Sequence, residues 1–221
     1  MRPSIDLRLN AIVDPERTGG HALIALARAV AEGGATLVQL RDKRGETRAM
    51  VETARAIKAE LARLGVPFVV NDRVDVALAA GADGAHLGPD DMTAEDARRL
   101  LGPDAIIGLS IKTVGEAETL PLELIDYAGI GGVYATISKL QKSAPIGPEG
   151  FARVAGAVRR RAPNLPLCGI AGIDGSNAGA VIAAGADGIA VISALSSTPD
   201  PAAAARGLRQ IVDAMLAKRG T

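Results

Sequence analysis

One cysteine, Cys168, stands among 221 residues. A lone thiol cannot form an intramolecular disulfide, and so sparse a use of cysteine suits a reducing cytosol. Its neighbours Leu167 and Ile170 are apolar, so it reads as an inert core thiol rather than a nucleophile. An excess of either charge is also missing: Lys plus Arg and Asp plus Glu both number 25. No global field recruits nucleic acid or an anionic membrane, so any anion site must be built locally. No apolar run approaches the roughly 20 residues that cross a bilayer, and the N-terminus lacks the basic-then-apolar layout of a signal peptide. These absences point to a soluble, cytoplasmic protein. Histidine is nearly as scarce, with His21 and His86 only. No Ser-His-Asp set and no metal-spaced His/Cys group is evident. Chemistry by charge stabilisation fits this inventory better than chemistry by a basic side chain.

What the chain does have is alternation. Short apolar runs predict strands at Leu7–Val13, Thr36–Leu40, Pro67–Val70, Gly84–Leu87, Ala105–Leu109, Tyr127–Ile130, Leu165–Gly169 and Gly188–Ile192. Between them lie Ala-, Leu-, Arg- and Glu-rich segments with apolar residues three and four apart, as in Met50–Leu64. Strand-then-helix repetition forces parallel pairing. Eight such units suit a closed (β/α)₈ TIM barrel of one domain, residues 1–221, ahead of an open doubly wound sheet. An internal repeat supports closure: Ala79-Ala80-Gly81-Ala82-Asp83-Gly84 returns as Ala183-Ala184-Gly185-Ala186-Asp187-Gly188. Each copy ends a helix with glycine and enters a strand, as strands four and eight of a ring would. Ala135–Gly150 reads as the one long irregular stretch, a candidate lid on the catalytic face.

Three polar clusters end apolar runs. Gln39, Arg41 and Lys43 share one side of a strand end, where polar groups are costly without a ligand or counter-ions. Asp72 follows Val69-Val70-Asn71, and Asp91 closes His86-Leu87-Gly88-Pro89-Asp90-Asp91. Asp72 could instead cap a helix over Val74–Ala80. Asp91 is freer, because Thr93 with Asp96 makes the better cap for Ala94–Leu101. Cations hold phosphates and paired carboxylates hold Mg²⁺, so the clusters describe a site for a magnesium-bound diphosphate. Gly169-Ile170-Ala171-Gly172-Ile173 and Ile192-Ser193-Ala194 follow strands seven and eight, the usual phosphate-binding place in such barrels. His86 suits a structural or a catalytic role equally, and His21 looks like surface.

In this order the motifs resemble thiamine phosphate synthase over nearly the whole chain. The likeness is carried by Gln39–Lys43, Asn71-Asp72-Arg73-Val74-Asp75, His86–Asp91, Gly108-Leu109-Ser110 and Thr136-Ile137-Ser138-Lys139. The resemblance implies transfer of a 4-amino-2-methylpyrimidin-5-ylmethyl group from its diphosphate to 4-methyl-5-(2-phosphoethyl)thiazole. It implies substrate contacts at Gln39, Leu40, Arg41, Asp42 and Lys43, with Asn71, Ser110 and Lys139 assisting on the pyrimidine diphosphate. Arg41, Lys43, Ser110 and Lys139 would form the catalytic set, and Asp72 and Asp91 would bind Mg²⁺. Thr136, Ile137, Ser138, Gly172, Ile192 and Ser193 match positions that bind the thiazole phosphate. Partners are then two small molecules, and a homo-oligomer is left open.

Four positions depart from the commonest family pattern: Pro89 replaces glutamine, Lys112 histidine, Ser138 threonine and Ala171 glycine. The main competing reading is a thiazole tautomerase-like relative, which expects eroded diphosphate and metal residues. Arg41, Lys43, Asn71, Asp72 and Asp91 are all present, against that reading. A non-catalytic thiazole-phosphate sensor predicts binding without turnover, and a sugar-phosphate isomerase lacks an obvious acid–base pair.

Overall fold

Each apolar run forms a strand because parallel barrel strands are covered on both faces and need no polar alternation. The computed structural model describes residues 5–138 and 143–219. The strands are β1 (Leu9–Val13), β2 (Leu37–Leu40), β3 (Phe68–Asn71), β4 (Gly84–Leu87), β5 (Ile106–Ile111), β6 (Tyr127–Gly131), β7 (Leu167–Ile170) and β8 (Gly188–Val191). All neighbours pair in parallel, and β8 closes on β1 through Leu9 with Ile189 and Asn10 with Ala190. Helices α1 (Leu23–Glu32), α2 (Thr47–Ala62), α3 (Val74–Ala80), α4 (Ala94–Leu101), α5 (Val114–Glu118), α6 (Gly147–Arg161) and α7 (Ala178–Ala183) lie between successive strands. After β8 come α8 (Ser193–Ser196) and α9 (Pro201–Arg219). The fold is the expected (β/α)₈ barrel.

The half-chain repeat falls before β4 and β8, where it was expected. Gly81, at φ 67, ends α3 in the left-handed conformation that glycine adopts without penalty. Asp83 then accepts from the Phe68 N–H at 2.7 Å, and Asp187 accepts from the Leu167 N–H at 2.9 Å. Asp126, before β6, does the same for Ile107 at 2.7 Å. Each aspartate thus ties the start of an even strand to the odd strand before it.

Two apolar layers result. Ile5, Leu7, Leu37, Val69, Ile106, Tyr127, Cys168 and Ala190 plug the barrel interior, and a larger layer packs strands against helices. Tyr127 is fully buried, and a Cβ on Gly108 would sit 2.1 Å from its ring. Glycine there is what admits the ring. The filled bottom leaves space only toward the C-terminal ends of the strands.

Several boundaries differ from the sequence reading for a physical reason. β3, β5 and β6 run one or two residues past their apolar runs, because Asn71 pairs with His86 and Ser110 with Gly129 in unbroken register. Ladder hydrogen bonds do not stop where hydrophobicity stops. The irregular stretch is shorter than Ala135–Gly150, since α6 starts at Gly147 with Pro148 in its first turn, where its missing N–H costs nothing. Lys139 and Lys142, expected in that loop, lie outside the described residues.

Candidate active site

A cavity of about 590 Å³ opens at the C-terminal mouth of the barrel. Gln39, Arg41 and Lys43 reach it from the end of β2 because alternate residues face inward. Arg41 is held by an ion pair with Asp14, a carboxylate buried at the end of β1, while its N–H extends the ladder to Val13. Lys43 pairs with Asp72. Two cations therefore stand in fixed positions on one wall, each with an acid behind it.

The opposing acids come from the next two strands. Asp72 has φ 63 and does not cap α3, whose N-cap is Arg73 without a side-chain bond. The capping role is thereby removed, and Asp72 is left for the cavity. Thr93 caps α4 by accepting from the Asp96 N–H, as expected, and Asp91 instead accepts from the Gly88 N–H at 2.7 Å. Asp91 and Asp72 line the same cavity, close enough for Asp91 to act on the Asp72 carboxyl. Burial first, and then Asp91, push the Asp72 carboxyl up to about 6 against the opposing pull of Lys43. The donor set is all oxygen, which suits a hard cation such as Mg²⁺. Among the described residues no cluster of three or more His, Cys, Asp or Glu could hold a metal ion. A cation at Asp72 and Asp91 would then complete its shell from water and a bound diphosphate.

Deeper in the cavity, the His86 Nδ1 lies 2.9 Å from the Tyr127 hydroxyl and its Nε2 lies 2.8 Å from Ser110 Oγ. Burial holds the Tyr127 phenol protonated, well above its ordinary range. His86 bridges the Tyr127 phenol and the Ser110 hydroxyl with one hydrogen bond at each ring nitrogen. His86 is thus part of the site's polar lining, and His21 is not surface decoration, since its Nε2 lies 2.8 Å from the Thr198 carbonyl.

Across the mouth, Thr136, Ser138, Gly172, Ile192 and Ser193 line the same cavity, as do Asn71 and Ser110. Ser138 Oγ lies 3.4 Å from Ser193 Oγ. Gly172, at φ +68, approaches so closely that a Cβ would lie 2.4 Å from the Ala135 carbonyl oxygen. Ala171 shares the left-handed conformation, at φ 74, without glycine's freedom.

Three expected contacts do not reach the cavity with their side chains. Leu40 points outward and packs in the strand–helix core, because it alternates with Gln39 and Arg41. Asp42 accepts from the N–H groups of Arg44 and Gly45 and serves the turn. Ile137 is 84% exposed and lies off the lining. Lys139 is outside the described residues. Conversely, Asn10, Ile12, Lys112 and Ala190 line the cavity without having been read as site residues. Asn10 carried a faint signal: one polar residue inside the run Leu9–Val13, on the face opposite Leu9 and Ala11. Lys112 meets Ser143 and the Ala144 carbonyl, 31 and 32 residues away, which no local pattern reveals.

A closed (β/α)₈ barrel whose mouth joins a two-cation, two-carboxylate wall to a glycine- and serine-lined wall defines an enzyme of phosphate-bearing substrates. The comparisons narrow this. The family model described as thiamine monophosphate synthase matches residues 9–195. A thiamine-phosphate synthase of Agrobacterium fabrum is 50% identical over 215 residues, 97% of this chain and 98% of that one. One from Moorella thermoacetica is 45% identical over 204 residues, 92% and 95% of the two chains. The solved thiamine phosphate pyrophosphorylase from Pyrococcus furiosus superposes with TM-score 0.84 at 36% identity, covering 96% of this chain and 98% of its own. The chain belongs to the thiamine monophosphate synthase family, and its activity is that of a transferase forming thiamine phosphate.

Proposed function

We propose that this chain joins a 4-amino-2-methylpyrimidin-5-ylmethyl diphosphate to 4-methyl-5-(2-phosphoethyl)thiazole by a dissociative, magnesium-assisted route, as a cytoplasmic enzyme. The observation that carries the reading is the meeting of Arg41, Lys43, Asp72, Asp91, Gly172 and Ser193 around one cavity. Arg41 and Lys43 hold the leaving diphosphate, and Asp72 with Asp91 would hold Mg²⁺ beside it. When bound, the ion neutralises charge growing on the departing oxygen. Arg41, fixed by Asp14, stabilises the same charge without reorganising. As the methylene C–O bond breaks, the pyrimidine carries the cation and the thiazole nitrogen captures it. Both rings in one 590 Å³ cavity make this a near-unimolecular encounter. Gly172, Ser193, Ser138 and Thr136 are suited to the thiazole phosphate, with backbone N–H groups open to close approach at glycine. Lys139, kept from the sequence reading, is assigned to the diphosphate, and no step needs a general base.

Against the tautomerase-like alternative, Arg41, Lys43, Asn71, Asp72 and Asp91, which that reading expects to be eroded, line one cavity. The test mixes purified protein with both substrates and Mg²⁺ and follows diphosphate and thiamine phosphate together. Stoichiometric release is expected, lost on chelation, with Asp91→Ala lowering turnover about 10²-fold or more while the fold persists. Thiazole phosphate binding without diphosphate release would overturn the reading.

A further inference from the structure

Among the described residues that line the cavity, Asn10 alone has fully buried side-chain polar atoms without a hydrogen-bond partner. It is 1% exposed, and neither Oδ1 nor Nδ2 has a hydrogen-bond partner. Its strand neighbours in register, Leu37 and Ala190, are apolar and offer the amide nothing. A buried carboxamide with both ends unpaired costs free energy in the unliganded protein, and it is retained where something else pairs it. It lies on the cavity side of β1, one strand from Gln39, in the same cavity lining as His86 and Ser110. The charged groups are spoken for: Arg41 is paired with Asp14, and Lys43 with Asp72. Asn10 is neutral and deeper, placed for a ring rather than for a phosphate.

We propose that Asn10 is a specificity-determining residue that reads the polar edge of the aminopyrimidine. This rests on the coupling activity proposed above. A carboxamide offers an N–H donor beside a carbonyl acceptor. A 4-aminopyrimidine offers the complement, a ring nitrogen beside an exocyclic amine, the same pairing by which Asn and Gln read adenine. Nδ2 donates to the ring nitrogen and Oδ1 accepts from the amine. The thiazole has no such edge, since its one nitrogen must stay free to attack. Asn10 therefore selects the amino-bearing pyrimidine and does not choose the acceptor.

The test compares wild type with Asn10→Leu, which is close in shape and apolar, using the parent pyrimidine diphosphate and its analogue lacking the 4-amino group. Wild-type turnover of the parent pair is measured first, so a failure of the coupling reading shows there and not in the variant. Wild type should prefer the parent by at least about tenfold in kcat/KM. In Asn10→Leu, kcat/KM for the parent should fall about tenfold or more through KM, the preference should shrink by a similar factor, and the thiazole KM should hold. The unliganded variant should melt at or above the wild-type temperature, because an unpaired amide has been replaced by a packed side chain. A lowered melting temperature with unchanged discrimination would make Asn10 structural, through a buried water, and overturn the proposal. An altered thiazole KM with unchanged pyrimidine discrimination would overturn it as well. Asn10→Ala carries the same comparison should the larger side chain fail to pack.

Discussion

Asp72 holds its carboxyl up to about 6, because burial and then Asp91 disfavour its charge. The folded protein therefore keeps a proton that the unfolded chain releases from about pH 4, its ordinary value being 3.8. Where the native state binds more protons, stability falls as pH rises, here between about pH 4 and 6, and the penalty is complete above that. In chelator-treated protein, wild type should lose thermal stability relative to Asp72→Asn across this window and run parallel to it above. A constant difference from pH 4 to 8 would contradict the assignment. Mg²⁺ affinity should weaken below about pH 6, approaching tenfold per unit, since the ion requires the carboxylate. Ala171 bears a different strain, φ 74 with a Cβ. Ala171→Gly should raise stability by roughly 0.5–1 kcal/mol, read from the denaturant midpoint at constant slope. A destabilised variant would place some other constraint on that backbone.

Elements were legible where their cause is local. Thr93 before Ala94–Leu101 names a helix start in three residues, and the structure caps it there. The ends of β3 and β5 were not, because Asn71 and Ser110 remain in the ladder for the sake of partners on β4 and β6. The strand ties follow the same division. The Asp83 and Asp187 repeat is visible in the sequence, whereas Asp126 shares their role without their flanking alanines. Asp126 also forms a buried ion pair with Arg98, which donates in addition to the Leu124 and Ala105 carbonyls. Asp126→Ala removes one partner of a buried pair and a strand anchor together, and should cost about 3–5 kcal/mol. Because the tie lies at the bottom of the barrel, KM for both substrates should hold at temperatures where the variant is folded. A fall in stability below 1 kcal/mol would show that the tie carries little.

For the whole molecule, function follows from closure. Arg41, Asp72 and Asp91 come from β2, β3 and β4, while Gly172 and Ser193 come from β7 and β8, and only a ring brings the last strands round to the first. The clusters were readable one by one, and eight strand–helix units implied the ring that joins them. Contacts across the mouth were not readable: Ser138 to Ser193, Lys112 to Ser143, and the unmet amide of Asn10 all depend on distant chain meeting in space. Convergence is thus the central claim, and a crystal structure with thiamine phosphate, diphosphate and Mg²⁺ tests it most directly. Diphosphate should lie on Arg41 and Lys43 with the ion on Asp72 and Asp91, and the product phosphate should lie at Gly172 and Ser193. Ligands bound on separate surfaces, or an ion that bypasses both aspartates, would contradict it.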